Sequence, residues 1–250
     1  MEFVFSPRMK VEPNKFSTAE DFQNGSLLLI DKPLDWTSFD VVNKVRGLLR
    51  KQFHFKKIKV GHAGTLDPRA TGLLVICTGR MTKTIQELTA DSKGYTGTVF
   101  FGVTRPSFDM ETEVDATFPT SHITEEMLTT ATKQFMGKIQ QLPPQFSAKK
   151  VDGKRAYKSA RKGEKVDIQP VEIEITRFDL TRIALPEVDF EVECSKGTYI
   201  RTLAHDMGAA VDSGAYLAAL RRYRSGIFHI ENALSMEAFE SRLNTMSTAG

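Results

Sequence analysis

The chain has few cysteines and none in a metal-binding or redox pattern. Cys77 and Cys194 stand in apolar runs and form no C-x-x-C, which argues against a disulfide framework or a cysteine zinc site and favours the reducing cytoplasm. The five histidines lack metal-ligand spacing, so no metal is expected. No apolar run reaches the length of a membrane span, and the first residues lack a secretory signal pattern.

Two common catalytic patterns are also missing. Residues 79–84 fail the spacing of a phosphate-binding loop, and no G-x-S-x-G serine motif occurs. We therefore expect no cofactor. Apolar residues make up 40% of the chain and charged residues 26%, which is typical of a soluble globular protein.

The net charge is only +3, but the charges are unevenly distributed. Residues 41–60 contain seven basic side chains and no acid, and residues 146–165 contain eight basic side chains and two acids. A third basic cluster is Arg221, Arg222 and Arg224. Because Lys and Arg neutralise phosphates and release counterions, three such clusters raise the expectation of a nucleic-acid partner.

The hydrophobic periodicity predicts a mixed α/β (α+β) fold with a largely antiparallel sheet flanked by helices. Alternating apolar residues predict half-buried strands at 171–176 and 188–194, and Leu73–Cys77 reads as a buried strand. Helical spacing predicts helices from Ser38, at 198–211, and from Thr124 with Ile139 on the apolar face. Residues 1–24 read as an irregular N-terminal extension.

Lys59–Leu74 is the most informative stretch and reads KVGHAGTLDPRATGLL. It places a single carboxylate, Asp67, in a loop between glycines, where the backbone can adopt unusual angles and admit a ligand. An isolated Asp-Pro usually begins a turn. The glycines and the neighbouring His62, Thr65 and Arg69 instead indicate a positioned catalytic acid.

This stretch resembles the signature of the TruB-type tRNA pseudouridine synthases, KxGHxGTLDPxATGxL. Four further segments resemble family motifs in the same order: Asp31–Ser38, Lys93–Tyr95, Gln141–Tyr157 and Gly197–Leu203. Leu220–Arg222 with Gly226 resembles the segment near the family's end. The likeness covers residues 25–228 and implies the pseudouridine synthase fold.

The chain departs from the family pattern at three positions. Asp35 replaces a usual glycine, and Arg105 and Pro106 replace a Thr-Asp pair. Many members also carry a C-terminal PUA-type RNA-binding domain, for which the residues after Phe228 are too few. The resemblance therefore implies a catalytic domain at 25–235 and a short tail at 236–250.

The resemblance implies an isomerase that converts uridine to pseudouridine in the T arm of tRNA, at position 55. Asp67 would be the nucleophile on a flipped-out uridine, attacking either C1′ or C6. Arg201 would favour its ionised form, and Tyr95 would stack on the base or handle a proton. Tyr199 would line the pocket, and His62 would support the loop or fill the space left by the base.

Further substrate contacts are expected from the loop and the basic segments. These residues are Gly64, Thr65, Lys32, Lys149, Arg155 and Arg221. We expect a monomer without an obligatory protein partner. Two alternatives remain open: a guide-RNA-dependent synthase of the dyskerin type, and a non-catalytic RNA-binding or RNA-folding protein.

Overall fold

The computed structural model describes residues 3–6, 9–147, 150–151, 154–155 and 166–246. The helices are α1 Ala19–Asn24, α2 Ser38–Phe53, α3 Ile85–Thr89, α4 Glu125–Gln134, α5 Ile200–Ala210 and α6 Met236–Asn244. Two 3₁₀ helices span Gly79–Thr84 and Ile230–Asn232.

The strands fall into an N-terminal and a C-terminal group. The first comprises β1 Phe3–Ser6, β2 Met9–Val11, β3 Leu27–Lys32, β4 Val60–Ala63, β5 Ala70–Thr78, β6 Lys93–Phe101, β7 Val103–Thr104 and β8 Ala116–Thr117. The second comprises β9 Gly137–Gln141, β10 Lys150–Val151, β11 Lys154–Arg155, β12 Val171–Ala184, β13 Glu187–Cys194, β14 Ala215–Ser225 and β15 Phe228–His229. The chain forms two compact units, residues 1–93 with 221–250 and residues 94–220, here called unit 1 and unit 2.

Unit 1 is organised around β5, which pairs antiparallel with both β3 and β4. The apolar run of β3 is buried on both faces, because Leu28 and Ile30 pack with α2 and α6 while Leu27 and Leu29 pack with the side of α3. Continuous apolar sequence is typical of a strand covered on both faces. This doubly buried sheet gives the loop between β4 and β5 a rigid base.

Both ends of the chain contribute to the core of unit 1. The predicted extension supplies Phe16 and Phe22, which are 3% and 0% exposed. The predicted tail supplies Phe239 and Leu243 from α6, also fully buried. Neither segment is therefore peripheral to the packing of this unit.

Unit 2 contains the alternating strands that the sequence predicts. β12 pairs antiparallel with β13 and with β9, and the strand order within the unit is β14, β6, β13, β12, β9. Ile173 and Ile175 face the core from β12, and Val192 faces it from β13. The predicted fold class, mixed α/β with antiparallel pairing, is confirmed.

The prediction for Ile139 was wrong. Helix α4 ends at Gln134, and Ile139 lies in β9, where it pairs with Ile173. Gly137, the first residue of β9, has a φ of 80°, a backbone conformation that favours glycine and cannot continue a right-handed helix.

Candidate active site

Asp67 lies partly buried in the loop between β4 and β5. Its carbonyl accepts a hydrogen bond from the Ala70 amide at 3.1 Å, and the Pro68 carbonyl accepts one from the Asp35 amide at 2.9 Å. Gly72, just after the loop, has a φ of 102°, and a Cβ there would lie 2.3 Å from the Arg222 carbonyl oxygen. Only glycine fits this close approach, which explains its place in the motif.

Ser38 holds the residue that precedes Asp67. Its hydroxyl donates to the Leu66 carbonyl at 3.0 Å and accepts from the Leu66 amide at 2.8 Å. Ser38 is the first residue of α2, whose start is fixed by a capping box between Thr37 and Asp40. The helix start and the loop are thus joined by one buried side chain.

Lys32 is fully buried, and one of its hydrogen bonds goes to the Asp67 loop. Its ammonium donates to the carbonyls of Pro33, Trp36 and Pro68 at 2.9, 2.5 and 3.5 Å. Burial lowers the pKa of Lys32 to about 8, and the negative charge of Asp67 partly opposes this decrease. The hydrogen bonds described for Lys32 all go to backbone oxygens, and its predicted substrate contact stays a prediction.

Arg222 is the second buried cation of unit 1, only 1% exposed. Its guanidinium donates to the carbonyls of Leu73, Gly64 and Thr65 at 2.8, 3.1 and 3.4 Å. The carbonyls of Gly64 and Thr65 are thereby fixed toward the protein interior. This anchor holds the N-terminal half of the loop as Lys32 and Ser38 hold its C-terminal half.

Arg221 is more exposed than Arg222 and pairs with Asp31 instead of the Asp67 loop. Its two terminal nitrogens lie 3.1 and 2.7 Å from the two carboxylate oxygens of Asp31, and one lies 3.5 Å from the Thr71 hydroxyl. The bidentate pair bounds a cavity of about 210 Å³ beside Lys32 and Ser235. Its predicted substrate contact stays a prediction.

His62 is on β4, with a buried Nδ1 that has no hydrogen-bond partner among the described residues. Burial lowers the pKa of His62, a backbone hydrogen bond at Gly64 opposes this decrease, and the positive charge of Arg222 adds to it. A neutral imidazole is therefore expected at pH 7. Such a ring suits a supporting or space-filling role better than a charged contact.

In unit 2, Arg201 stands in the first turn of α5 and is 5% exposed. It donates to the carbonyls of Ser107 and Phe146 at 3.1 and 3.0 Å, and its Nε lies 3.6 Å from a carboxylate oxygen of Asp109. This is not a surface salt bridge, because both charges are buried. A buried pair of this kind fixes the orientation of the guanidinium.

Tyr199 and Tyr95 are also placed by unit 2. Tyr199 precedes α5, where its amide donates to Gln141 at 2.8 Å and its carbonyl accepts from the same side chain at 3.0 Å. Tyr95 lies in β6 and is 8% exposed. Of the other predicted contacts, Lys149 lies outside the described residues, and Arg155 is described only as part of strand β11.

Arg105, a departure from the family pattern, has a defined role in unit 2. Its guanidinium lies 4.7 Å from the centre of the Tyr216 ring and donates to the Thr112 carbonyl. The Thr112 hydroxyl in turn bonds Ser107. Arg105 therefore closes the turn that carries Ser107 and Asp109, two of the three partners described for Arg201.

Sequence reasoning missed three residues that hold the predicted site residues. Ser38 and Arg222 lie inside motif segments and Asp109 lies three residues after Pro106, but the burial and partners of all three are not visible in sequence. The structure describes the predicted residues as two sets. Unit 1 gathers Asp67 with Lys32, His62, Gly64, Thr65 and Arg221, and unit 2 contains Tyr95, Tyr199 and Arg201.

Comparison with known proteins agrees with the motifs. Residues 50–200 match the model of the TruB family pseudouridylate synthase N-terminal domain, and residues 201–248 match the tRNA pseudouridylate synthase B C-terminal domain. The chain belongs to the TruB family. The predicted family and enzyme class, a pseudouridine synthase, are confirmed.

The chain is similar to curated relatives over nearly their whole length. It is 54% identical to a tRNA pseudouridine synthase B of Flavobacterium johnsoniae over 90% of this chain and 99% of that one. It is 52% identical to the protein of the same description from Phocaeicola vulgatus, covering 90% and 95%. A chain in a crystal structure of a Cbf5-Nop10-Gar1 complex shares the fold, with a TM-score of 0.67, 24% identity and coverage of 96% and 63%.

The part of the chain that the structure describes contains neither a metal-ligand cluster nor a membrane-spanning helix. No group of three or more His, Cys, Asp or Glu side chains within that part of the chain is arranged to hold a metal ion. In the same residues, no helix combines the length and apolar character needed to cross a bilayer.

Proposed function

We propose that this TruB-family chain isomerises the uridine at position 55, in the T arm of tRNA, with Asp67 as the nucleophile. The reaction breaks the N1–C1′ bond, turns the base, joins C5 to C1′ and releases the C5 proton to solvent while N1 gains one. No group is transferred and no net oxidation occurs. A carboxylate nucleophile can divide such a reaction through a covalent intermediate.

The observation that carries this proposal is the anchoring of the Asp67 loop. Ser38 bonds Leu66 twice, Lys32 bonds Pro68, and Arg222 bonds Gly64 and Thr65. A nucleophile attacks efficiently only when it is held in the reacting geometry beforehand. The similarity to two tRNA pseudouridine synthases B over 95% or more of their length supports the substrate.

The remaining residues keep the roles that the resemblance implies. Tyr95 stacks on the base or handles a proton, Tyr199 lines the pocket, and Arg201 favours the ionised nucleophile. His62, neutral at pH 7, supports the loop or fills the space left by the flipped base. We also propose that the enzyme acts in the cytoplasm. We further propose that it is a monomer, and light scattering of the purified chain would test its oligomeric state.

The experiment is a single-turnover assay on a bare T-arm transcript. RNA is digested to nucleosides, and pseudouridine is separated from uridine by chromatography, because the two isomers have the same mass. The wild-type chain should convert the transcript without guide RNA. Asp67→Asn, nearly isosteric but a poor nucleophile, should bind the RNA and form no pseudouridine.

Three results would contradict the proposal. Turnover by a verified pure Asp67→Asn protein would remove Asp67 from its role. Activity that appears only with an added guide RNA would indicate the dyskerin-type mechanism. Tight RNA binding without conversion by the wild-type chain would indicate a non-catalytic RNA-binding protein.

A further inference from the structure

Phe39 is unusual because it is a large aromatic side chain that is 60% exposed. It is the second residue of α2, in unit 1, whose core side is formed by Val41, Val42, Val45 and Leu49. Full burial of a phenylalanine side chain stabilises a fold, and most of that stabilisation is forgone here. The packing of unit 1 therefore does not explain an aromatic ring at this position.

Phe39 begins a largely exposed stripe along α2, in which Phe39, Asn43 and Arg50 are exposed and Arg46 is half-buried. Residues 39, 43, 46 and 50 are spaced i, i+4, i+7 and i+11, which puts them on one helix face, and the stripe continues from Phe39 through Asn43 to Arg46 and Arg50. At a rise of about 1.5 Å per residue, the two arginines stand about 10 and 16 Å along the helix from Phe39. A Cβ on the neighbouring Gly47 would meet nothing within 4 Å, so the surface beside the stripe is open.

Both arginines of the stripe donate to neutral oxygens. Arg46 bonds the Asn43 side chain at 2.8 Å and the Val60 carbonyl at 3.1 Å, and Arg50 bonds the Phe55 carbonyl at 3.4 Å. These bonds orient the guanidinium groups, and among the described residues neither group has a carboxylate within ion-pair distance. The stripe thus combines one exposed ring with two oriented positive charges.

The Phe39 end of the stripe is continuous with the Asp67 loop. Ser38, directly before Phe39, carries the two hydrogen bonds to Leu66, the residue before Asp67. The segment before α2 is tied to the same loop, because the Asp35 amide donates to the Pro68 carbonyl. The start of α2 therefore adjoins the Asp67 loop.

We propose that the stripe formed by Phe39, Arg46 and Arg50 binds the substrate RNA next to the target uridine, with an unpaired base stacked on Phe39 and phosphates on the two arginines. This inference rests on the proposed function. Aromatic rings alternating with cations are the usual surface for single-stranded nucleic acid, since every base presents a π face. A protein partner fits less well, because protein interfaces centre on a cluster of apolar residues, whereas the stripe has one ring among polar groups.

Binding is best measured on Asp67→Asn as the background, where no turnover interferes. Stacking on an aromatic side chain is worth about 1–3 kcal/mol per base, which is about 5- to 150-fold in Kd. Phe39→Ala and Phe39→Leu should both weaken binding of the T-arm hairpin within that range, because neither has a π face. Phe39→Tyr should bind like the parent.

The charges of the stripe have a matched control on the same helix. Arg50→Gln should weaken binding and reduce the salt slope by about 0.7–0.9. Lys51→Gln removes the same charge one residue along, about 100° around the helix, and should have a smaller effect. Ile227, 44% exposed in the same unit, gives an apolar control, and Ile227→Ala should bind like the parent.

The outcomes separate this inference from the proposed function. Hairpin binding within twofold of the parent for Phe39→Ala, or normal binding by Phe39→Leu, would overturn the stacking role even if the wild-type enzyme is active. Self-association that Phe39→Ala abolishes, with RNA binding intact, would assign the stripe to a second copy instead. Failure of the wild type to form pseudouridine would refute the function alone, because the binding comparison does not require turnover.

Discussion

Replacing Ser38 with alanine removes one oxygen atom and tests whether the Asp67 loop is held as described. The Ser38 side chain is 3% exposed, and its hydroxyl pairs both the amide and the carbonyl of Leu66. An unpaired buried backbone group costs about 1–3 kcal/mol. Relief from burying the hydroxyl itself offsets part of this cost, so we expect a net loss of about 2–4 kcal/mol in the free energy of unfolding.

That loss should be visible in melting and in turnover. For a chain of this size each kcal/mol lowers Tm by about 2–4 °C, so Ser38→Ala should melt about 5–15 °C below wild type. A displacement of about 1 Å at a catalytic group can reduce rates about a hundredfold. We therefore expect kcat on the T-arm transcript to fall by about 10- to 100-fold, measured well below both melting temperatures.

Ser235→Ala is the matched control. It also removes a serine hydroxyl at a helix start, where Ser235 accepts a hydrogen bond from the Ala238 amide at 3.1 Å. Loss of such an N-cap costs about 1 kcal/mol, and kcat should not change. If Ser38→Ala melts lower but keeps the wild-type kcat, the bond to Leu66 stabilises the fold without positioning Asp67, and the reasoning fails.

Two further predictions concern a proton and a buried charge. Tyr95→Phe should lose at least about a hundredfold in turnover while still binding RNA, if the hydroxyl handles a proton; a fully active Tyr95→Phe beside an inactive Tyr95→Ala would leave only the stacking role. Burial lowers the pKa of Lys32 from 10.5 to about 8, so the unfolded chain binds more protons between these values and the contribution of Lys32 to stability rises with pH across that window. Lys32→Met should lack this rise in denaturant unfolding measured from pH 7.5 to 10.5, and parallel wild-type and variant profiles would contradict the prediction.

The strands predicted from sequence are those in which apolar and polar residues alternate in step with burial. Val171–Ala184 and Glu187–Cys194 alternate because one face of each is buried. Ala215–Ser225 escaped prediction because Leu, Ala and Arg favour helices and the segment has no period of two. Its strand conformation comes from its pairing partners, which outweigh intrinsic propensity.

The candidate site is visible in sequence wherever its signal is local. Asp67 stands out because the glycines and the proline around it constrain the loop. Ser38, Arg222 and Asp109 do not stand out, because a polar residue is exposed more often than buried. Their importance comes from tertiary contacts, such as the bond from Ser38 to a residue 28 positions away.

The two buried cations of unit 1, Lys32 and Arg222, bind backbone oxygens and no carboxylate in the hydrogen bonds described for them. The hydrogen bonds described for Lys32 and Arg222 go to carbonyls of the Asp67 loop and its neighbours. A carbonyl carries no net charge, so each cation keeps its field while it fixes the backbone. The attraction between the Lys32 ammonium and Asp67 partly opposes the decrease in the Lys32 pKa, so the positive charge of Lys32 acts at the loop. The same two side chains therefore position the loop and supply positive charge near the acid that the proposed reaction needs ionised.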